Sequence, residues 1–315
     1  MIMNVFRDYQ EVNIQSLTIT IGTFDGLHLG HKAILDKLKE KAAEINGQTG
    51  VLSFYPHPRL VLNPQDKTLQ LLHTLSEKIA RLDALSIQNF ILLPFTKDFS
   101  QLSSAEFIEK ILVKYLRIRH IVIGHDHHFG KNRDGNLDEL IKFGVKHNFS
   151  VSKISSYQID EINVSSTKIR EALLLGDVKI ARKYLGYNYS IQGKVIKGNQ
   201  IGRKIGFPTA NISMEEPSKL IPAMGVYAVW ITYQNNKYPG VLNIGTRPTF
   251  NGQNLQIEAH IIDFQQDIYD QSLTVEFVDF IRSQQQFENV EALQLRISHD
   301  IELSRILLAN YFQQT

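Results

Sequence analysis

The feature that most constrains this 315-residue sequence is a change of texture near Gly186. Before it, short apolar runs alternate with amphipathic stretches long enough to be helices. After it, apolar runs follow one another with only Gly, Pro and Asn between them. One sheet cannot satisfy both rhythms. Strand–helix alternation calls for parallel strands joined by crossovers, whereas runs separated by tight turns call for antiparallel neighbours. The chain therefore reads as two domains, 1–186 and 187–315, joined directly without a low-complexity linker. The first is expected to be α/β with a parallel sheet, the second an antiparallel β sandwich or barrel closed by a terminal helix.

In the first half, Leu17–Ile21 is strand-like and runs into Gly22, and His31–Ile45 is amphipathic. Val51–Phe54, Phe90–Pro94 and His120–Gly124 read as further strands; Glu77–Leu85, Ala105–Leu116 and Leu137–His147 read as helices. Helices continue from Lys168 to Leu185. In the second half SIQGKVI, GVYAVWITY, KYPGVLNIG, LQIEAHIID and LTVEFVDFI are strand-like, Gln234–Lys237 is a hairpin turn, and Val290–Tyr311 is a helix. Ligands of open parallel sheets bind beyond the carboxyl ends of the strands, where Gly22 and Gly124 lie.

Lys and Arg number 34 against 32 Asp and Glu, a net charge of +2. Such a balance argues against a nucleic-acid coat or a polybasic membrane binder but leaves room for a local anion site. The absence of cysteine excludes disulfides, thiolate zinc sites, iron–sulfur clusters and thiol nucleophiles. With no apolar signal core and no long apolar run, a soluble cytoplasmic protein is expected, contacting neither membrane nor nucleic acid. Nothing in the sequence reports the oligomeric state.

Residues 22–31 read GTFDGLHLGH. Gly22, Gly26 and Gly30 allow close backbone approach. If Gly30 and His31 open the helix, the imidazoles of His28 and His31 can both reach one anion at its N-terminus, where free N–H groups favour phosphate. A tight turn bearing two surface histidines is the plain alternative, and a metal site is a third. Position after a strand favours the phosphate. Ser165, Ser166, Thr167, Lys168 and Arg170 stand at another helix entrance and suit a di- or triphosphate, although Ser and Thr are also ordinary caps. The segment His125-Asp126-His127-His128 has metal-ligand chemistry, but cysteine is absent and no fourth ligand is obvious.

In the second half, Gly206-Phe207-Pro208-Thr209-Ala210-Asn211 follows a stretch carrying Lys194, Lys197, Gly198, Gly202, Arg203 and Lys204. In extended chain Thr209 and Asn211 project to one side as neutral oxygen ligands, which suits Mg²⁺ held mainly by substrate phosphates. The basic stretch can lie over a triphosphate; a hairpin turn and a solvated strand are the plainer readings. Glu258 shares a strand face with Gln256 and His260, either as a surface carboxylate or as a general base.

The pair GTFDGLHLGH and SSTKIR resembles the signature motifs of the nucleotidylyltransferase superfamily in the form found in FAD synthetases. Gly124–Arg133 resembles a further segment of that family, with His127 where Phe is usual, and Phe54–Pro58 another, with Tyr55 where some members carry Asp. GFPTAN, Asn243–Phe250 (NIGTRPTF), Glu258–His260 and Asp263-Phe264 are similar to riboflavin kinase, in that order. Asp270 replaces a usual Gly and Gln284 a usual Glu. Together the resemblance covers nearly the whole chain and implies a bifunctional riboflavin kinase/FAD synthetase: a Rossmann-like domain, then a β-barrel kinase. It implies riboflavin, FMN, FAD and ATP as ligands, with Mg²⁺. His28 and His31 would stabilise charge in adenylyl transfer, with Gly22, Phe24, Asp25, Gly30, Asp126, Arg133, Ser165, Ser166, Thr167 and Arg170 around the nucleotide. In the kinase, Gly206 and Pro208 would bind nucleotide, Thr209 and Asn211 the metal, and Glu258 would be the base. A single-activity adenylyltransferase with a flavin-binding barrel and a non-catalytic flavin- or nucleotide-binding regulator are the competing readings.

Overall fold

The computed structural model describes residues 2–65, 68–125, 128–160, 162–198, 200–249 and 252–312. Its internal contacts divide the chain into two compact units, Met1–Ser166 and Thr167–Thr315.

In the first unit the chain runs through β1 (Asn4–Phe6), β2 (Leu17–Ile21), α1 (Leu29–Glu44), β3 (Gln48–Tyr55), α2 (Pro58–Leu62), α3 (Leu75–Ala84) and β4 (Asn89–Pro94). It continues through α4 (Ser104–Glu106), a π-helical segment Phe107–Tyr115, β5 (Ile118–Ile123), α5 (Leu137–His147), β6 (Ser150–Lys153) and a small hairpin of β7 (Gln158–Ile159) and β8 (Ile162–Asn163). The six-stranded sheet has the order β1-β4-β3-β2-β5-β6, with every pair parallel. The chain leaves β2 towards β3 and β4, then returns to the other side for β5 and β6. The order therefore reverses beside β2, which makes the end of β2 the crevice where such sheets bind ligands.

Hydrophobic spacing explains the layers. Helix α1 turns Leu35, Leu38 and Ala42 inward, while Lys32–Asp36 and Lys41–Glu44 pair on its outer face. With Leu82 of α3 it covers one face of the sheet, over Val51, Phe90, Leu92 and Val122. Phe107, Ile108, Ile111, Leu112 and Leu140 cover the other, over Leu17, Ile19, Leu52 and Ile121. Residues 107–115 form a π-helix where the sequence predicts an α-helix; the wider turn brings the adjacent pairs 107–108 and 111–112 into the core together.

Helix α6 (Ser166–Leu174) leads into the second unit, and Gly176, at φ +82°, with Asp177 as the next N-cap, separates it from α7 (Val178–Leu185). The two helices fill the helical stretch expected from 168 to 185. There follow β9 (Ser190–Ile196), the one-turn helix α8 (Ile201–Lys204), β10 (Ala210–Met214), β11 (Gly225–Tyr233), β12 (Asn236–Thr249), β13 (Gly252–Ile261), β14 (Ser272–Arg282) and α9 (Val290–Phe312). The strands close into an antiparallel barrel of order β10-β13-β12-β11-β14-β9. Gln234 and Asn235, at φ +46° and +65°, make the two-residue turn between β11 and β12.

Tyr227, Val229, Ile231, Leu242, Ile244, Ile257, Ala259 and Phe277 are buried in the barrel unit. Helix α9 lies on the outer wall through Leu308 against Ala228, Trp230 and Val278. A buried carboxylate fastens it: Asp300 accepts from Arg282 Nη2 at 2.8 Å and from Arg296 Nε at 3.0 Å. Replacing Asp300 by Ala leaves both guanidinium groups partly buried without their anion, and is expected to lower stability by about 3 kcal/mol. Urea unfolding checks this; a loss within about 0.5 kcal/mol, as at ordinary surface sites, would show that the ion pair does not hold the helix.

Candidate active site

The turn after β2 is unusual backbone. Phe24 has φ +47° and Leu27 φ +38°, with Gly26 at +85° between them. Large side chains rarely adopt that region, and such strain persists only where the surroundings hold it. Here the hold is Asp25, whose buried carboxylate accepts from Leu72 N–H at 3.0 Å and His73 N–H at 3.0 Å. Phe24 and Leu27 are buried in the core on either side. Asp25 thus builds the turn from within the protein. The Ser166 hydroxyl donates to Asp25 O at 2.8 Å, tying the entrance of α6 to the same turn.

The turn delivers His28 as the N-cap of α1. Its Nδ1 accepts from the His31 backbone N–H at 3.3 Å, so in the neutral ring the hydrogen is on Nε2. A Cβ on Gly30 would come within 3.1 Å of the His28 ring, so glycine at this position lets the imidazole lie over the first helical turn. The His28 and His31 rings stack at 3.7 Å, and Phe24 lies 5.0 Å behind His31. The helix opens at Leu29, one residue before the expected opening pair, and the two imidazoles stand together at its N-terminus.

This corner is basic. Lys78 on α3 donates to Thr23 O at 2.6 Å, and burial lowers its pKa against the opposing pull of Asp25. Burial, then the neighbouring His28, Lys78 and His73, hold the His31 imidazole well below its usual range. Its Nδ1 is buried with no hydrogen-bond partner among the described residues. Two stacked imidazoles, that of His31 held neutral, beside the Lys78 ammonium and a helix N-terminus make a receptor for an anion. The sequence reading missed Lys78 and His73. Thr74 and Glu77 form a capping box that sets the start of α3, and that Thr-x-x-Glu spacing was the available signal.

Ser166, Thr167 and Arg170 lie in α6, with Ser165 immediately before it. Asp126 and His127 lie outside the described residues, and of Arg133 only the backbone is described, in a short 3-10 turn Lys131–Arg133. Among the described residues no group of three or more His, Asp or Glu is arranged to hold a metal.

In the barrel, strand register does the assembling. Asn211 on β10 stands opposite Glu258 on β13, which stands opposite Asn243 on β12. Directly opposed residues share a face, so the three side chains form one row across three strands. A Cβ on Gly198 would fall 2.2 Å from Asn211 Nδ2, so glycine lets the backbone there lie against the amide in its present place. His260 Nδ1 donates to Pro208 O at 2.8 Å and pins the turn that carries Thr209. The barrel unit also has a cleft of about 260 Å³ lined by Arg203, Pro208, Thr209, Phe264, Asp267 and Tyr269, among others. Gln200 donates to the Tyr269 hydroxyl at 3.2 Å, and Lys197 lies 6.0 Å from its ring centre, so these two residues border the cleft.

The basic stretch includes helix α8 and spreads its cations. Arg203 lines the cleft, whereas Lys194 pairs with Asp270 at 3.4 Å. Asp270 has φ +61°, which explains why glycine suits that position and why Asp, which tolerates the region, can replace it. Phe264 to Tyr269 were not singled out as a unit by the sequence reading; they are polar or aromatic residues in a loop without periodicity. The hydroxyl of Thr209 and the amide of Asn211 offer hard, neutral oxygen donors, and the Gly198 backbone lies close against the Asn211 amide. That chemistry fits Mg²⁺ completed by phosphate and water.

Residues 10–168 match the family model for FAD synthetase and residues 185–308 that for riboflavin kinase. The chain is 38% identical over 291 residues to the bifunctional riboflavin kinase/FMN adenylyltransferase of Pseudomonas fluorescens, covering 92% of each. The chain belongs to the bifunctional riboflavin kinase/FAD synthetase family. The relative of the same description from Haemophilus influenzae is 37% identical, over 96% of this chain and 98% of the other. A crystal structure described as a macrolide-efflux protein from Streptococcus pneumoniae is 30% identical and superposes with a TM-score of 0.89, over 97% of this chain and 99% of that one. No helix among the described residues is long and apolar enough to cross a membrane. The histidine corner thus falls in the FAD synthetase span and the Asn211–Glu258–Asn243 row in the riboflavin kinase span.

The lowered His31 pKa has a sign that can be tested. An unfolded imidazole titrates near 6.5, above the folded value, so below that pH the unfolded chain binds more protons and folding stability falls. Above about pH 6.5 the contribution is fully present. Half-buried His120 is shifted the same way and contributes part of the slope. His31→Gln should therefore lose less melting temperature than the parent between about pH 7.5 and pH 5.5. Equal slopes would mean that His31 is not held neutral in the fold.

Proposed function

We propose that each family-matched span carries out its own ATP-dependent step in the cytoplasm, with residues 187–315 making FMN from riboflavin and residues 1–186 making FAD from FMN. The observation that carries this reading is that each span holds its own donor set: a carboxylate between two amides in the barrel, and two imidazoles at a helix N-terminus in the α/β unit.

In the kinase step the riboflavin 5′-hydroxyl oxygen bonds to the γ-phosphorus of ATP as its proton passes to Glu258, and ADP leaves with the electrons of the broken P–O bond. Gly206 and Pro208 position the nucleotide beside the cleft. Mg²⁺, held by Thr209 and Asn211, would neutralise phosphate charge. The chain's own residues orient the hydroxyl and accept its proton.

In the second step an FMN phosphate oxygen bonds to the α-phosphorus of a second ATP and pyrophosphate departs. The attacking phosphate is already ionised, so no base is required; the chemistry needs charge stabilised on the α-phosphate and the leaving group. His28 and His31 supply it as N–H donors, with the N-terminus of α1 behind them. Gly22, Phe24 and Gly30 shape the approach, and Asp25 fixes the turn. Ser165, Ser166, Thr167 and Arg170 offer hydroxyls and a cation for the remaining phosphates, and Asp126 and Arg133 further nucleotide contacts.

The reading is tested by incubating the protein with riboflavin, ATP and Mg²⁺ and separating the flavins over time. FMN followed by FAD is expected. His31→Ala should stop FAD formation and leave FMN formation near the parent rate; loss of both in a folded protein would refute independent steps. Glu258→Ala should slow FMN formation by about 10²-fold or more while supplied FMN still becomes FAD. Riboflavin phosphorylated at the parent rate by that variant would remove Glu258 as the base.

A further inference from the structure

The row in the barrel extends beyond the residues used above. Gln284, two residues past the end of β14, returns over β12: its Nε2 lies 2.7 Å from Asn243 Oδ1 and 3.0 Å from the Ile244 carbonyl oxygen. A Cβ on Gly245 would fall 2.5 Å from the same Nε2, so the Gln284 amide is seated directly on the strand.

Side-chain amides can be turned either way, but here the main chain decides. The Ile244 carbonyl can only accept, so the Gln284 atom facing it must be the nitrogen. That nitrogen then faces Asn243, whose near atom must be the accepting Oδ1. The Asn243 Nδ2 is left on the side away from Gln284. In barrel order β12 has β11, then β14 on one side and β13 on the other. Gln284 arrives from the β14 side. On the β13 side of β12, Glu258 is the residue directly opposed to Asn243.

We propose that Asn243 and Gln284 are positioning residues for the kinase step: Gln284 fixes the flip of the Asn243 amide, and Asn243 thereby presents N–H donors that orient the Glu258 carboxylate towards the substrate hydroxyl. The inference rests on the reading of Glu258 as the base. It assigns two neutral amides to the aim of one carboxylate, and it makes Gln284 act only through Asn243. No bond is made or broken at either residue.

Steady-state riboflavin phosphorylation tests this in the full-length protein, with FMN adenylylation and the melting temperature followed in parallel. Asn243→Leu should lower kcat by about 10- to 100-fold, the range seen when outer partners of a working group are removed, with KM for riboflavin and ATP changed less than about threefold. Asn243→Asp, nearly the same shape but without the N–H donors, should fall similarly, and it answers the question if the leucine variant fails to fold. Gln284→Leu should lower kcat by about 5-fold or more, and the double variant Asn243→Leu/Gln284→Leu should be no slower than Asn243→Leu alone. Multiplying effects in the double variant would overturn the relay. A raised KM with unchanged kcat would make these residues substrate contacts instead. The two readings fail separately. Glu258→Ala at the parent rate removes the base and this inference together, whereas a slow Glu258→Ala beside an unimpaired Asn243→Asp removes the inference alone.

Discussion

The histidine corner of the α/β unit depends on one carboxylate that faces away from solvent. Phe24 and Leu27 occupy backbone conformations that side chains of their size resist, and nothing in their local sequence offsets that cost. Asp25 does so from a distance in sequence, by accepting the backbone N–H groups of Leu72 and His73. Those contacts clamp the segment leading into α3 to the turn leading into α1. Because α3 carries Lys78 and α1 opens at His28, a single carboxylate sets the relative placement of the imidazoles and the ammonium. Oriented donors that need no rearrangement when charge develops are what phosphoryl chemistry asks of a protein.

The two sites manage charge in opposite ways. In the α/β unit, burial holds basic groups below their usual pKa, so the pocket gains attraction for phosphate without carrying its full positive charge beforehand. In the barrel, the Glu258 carboxylate stands in register between two neutral amides, whose dipoles can be aimed by hydrogen bonds. The first arrangement suits a reaction in which every reactant is already anionic. The second suits one in which a proton must leave a neutral hydroxyl.

The legibility of each part in the sequence follows from the range of the forces involved. Leu137–His147 was readable to the residue because an asparagine cap and an amphipathic spacing are local. The Gln234–Asn235 turn was readable for the same reason. Strands β1 and β6 were not: three or four residues carry too little periodicity, and their existence depends on β4 and β5 being there to pair with. The motif residues His28, His31, Asn211 and Glu258 were legible as chemistry. What they rest on was not, because Lys78, Asn243 and Gln284 reach their places through sheet order and strand register, which couple positions dozens of residues apart.

The closed ring of the second unit has one more consequence. A cleft on it is lined in part by Arg203 and by the segment 264–269, which take no part in closing the ring. A complete cylinder has no unpaired edge along which a foreign strand could add. Those flanking segments can therefore lengthen, shorten or change composition during divergence without exposing a sticky seam. Ligand preference in such a protein can drift faster than its architecture.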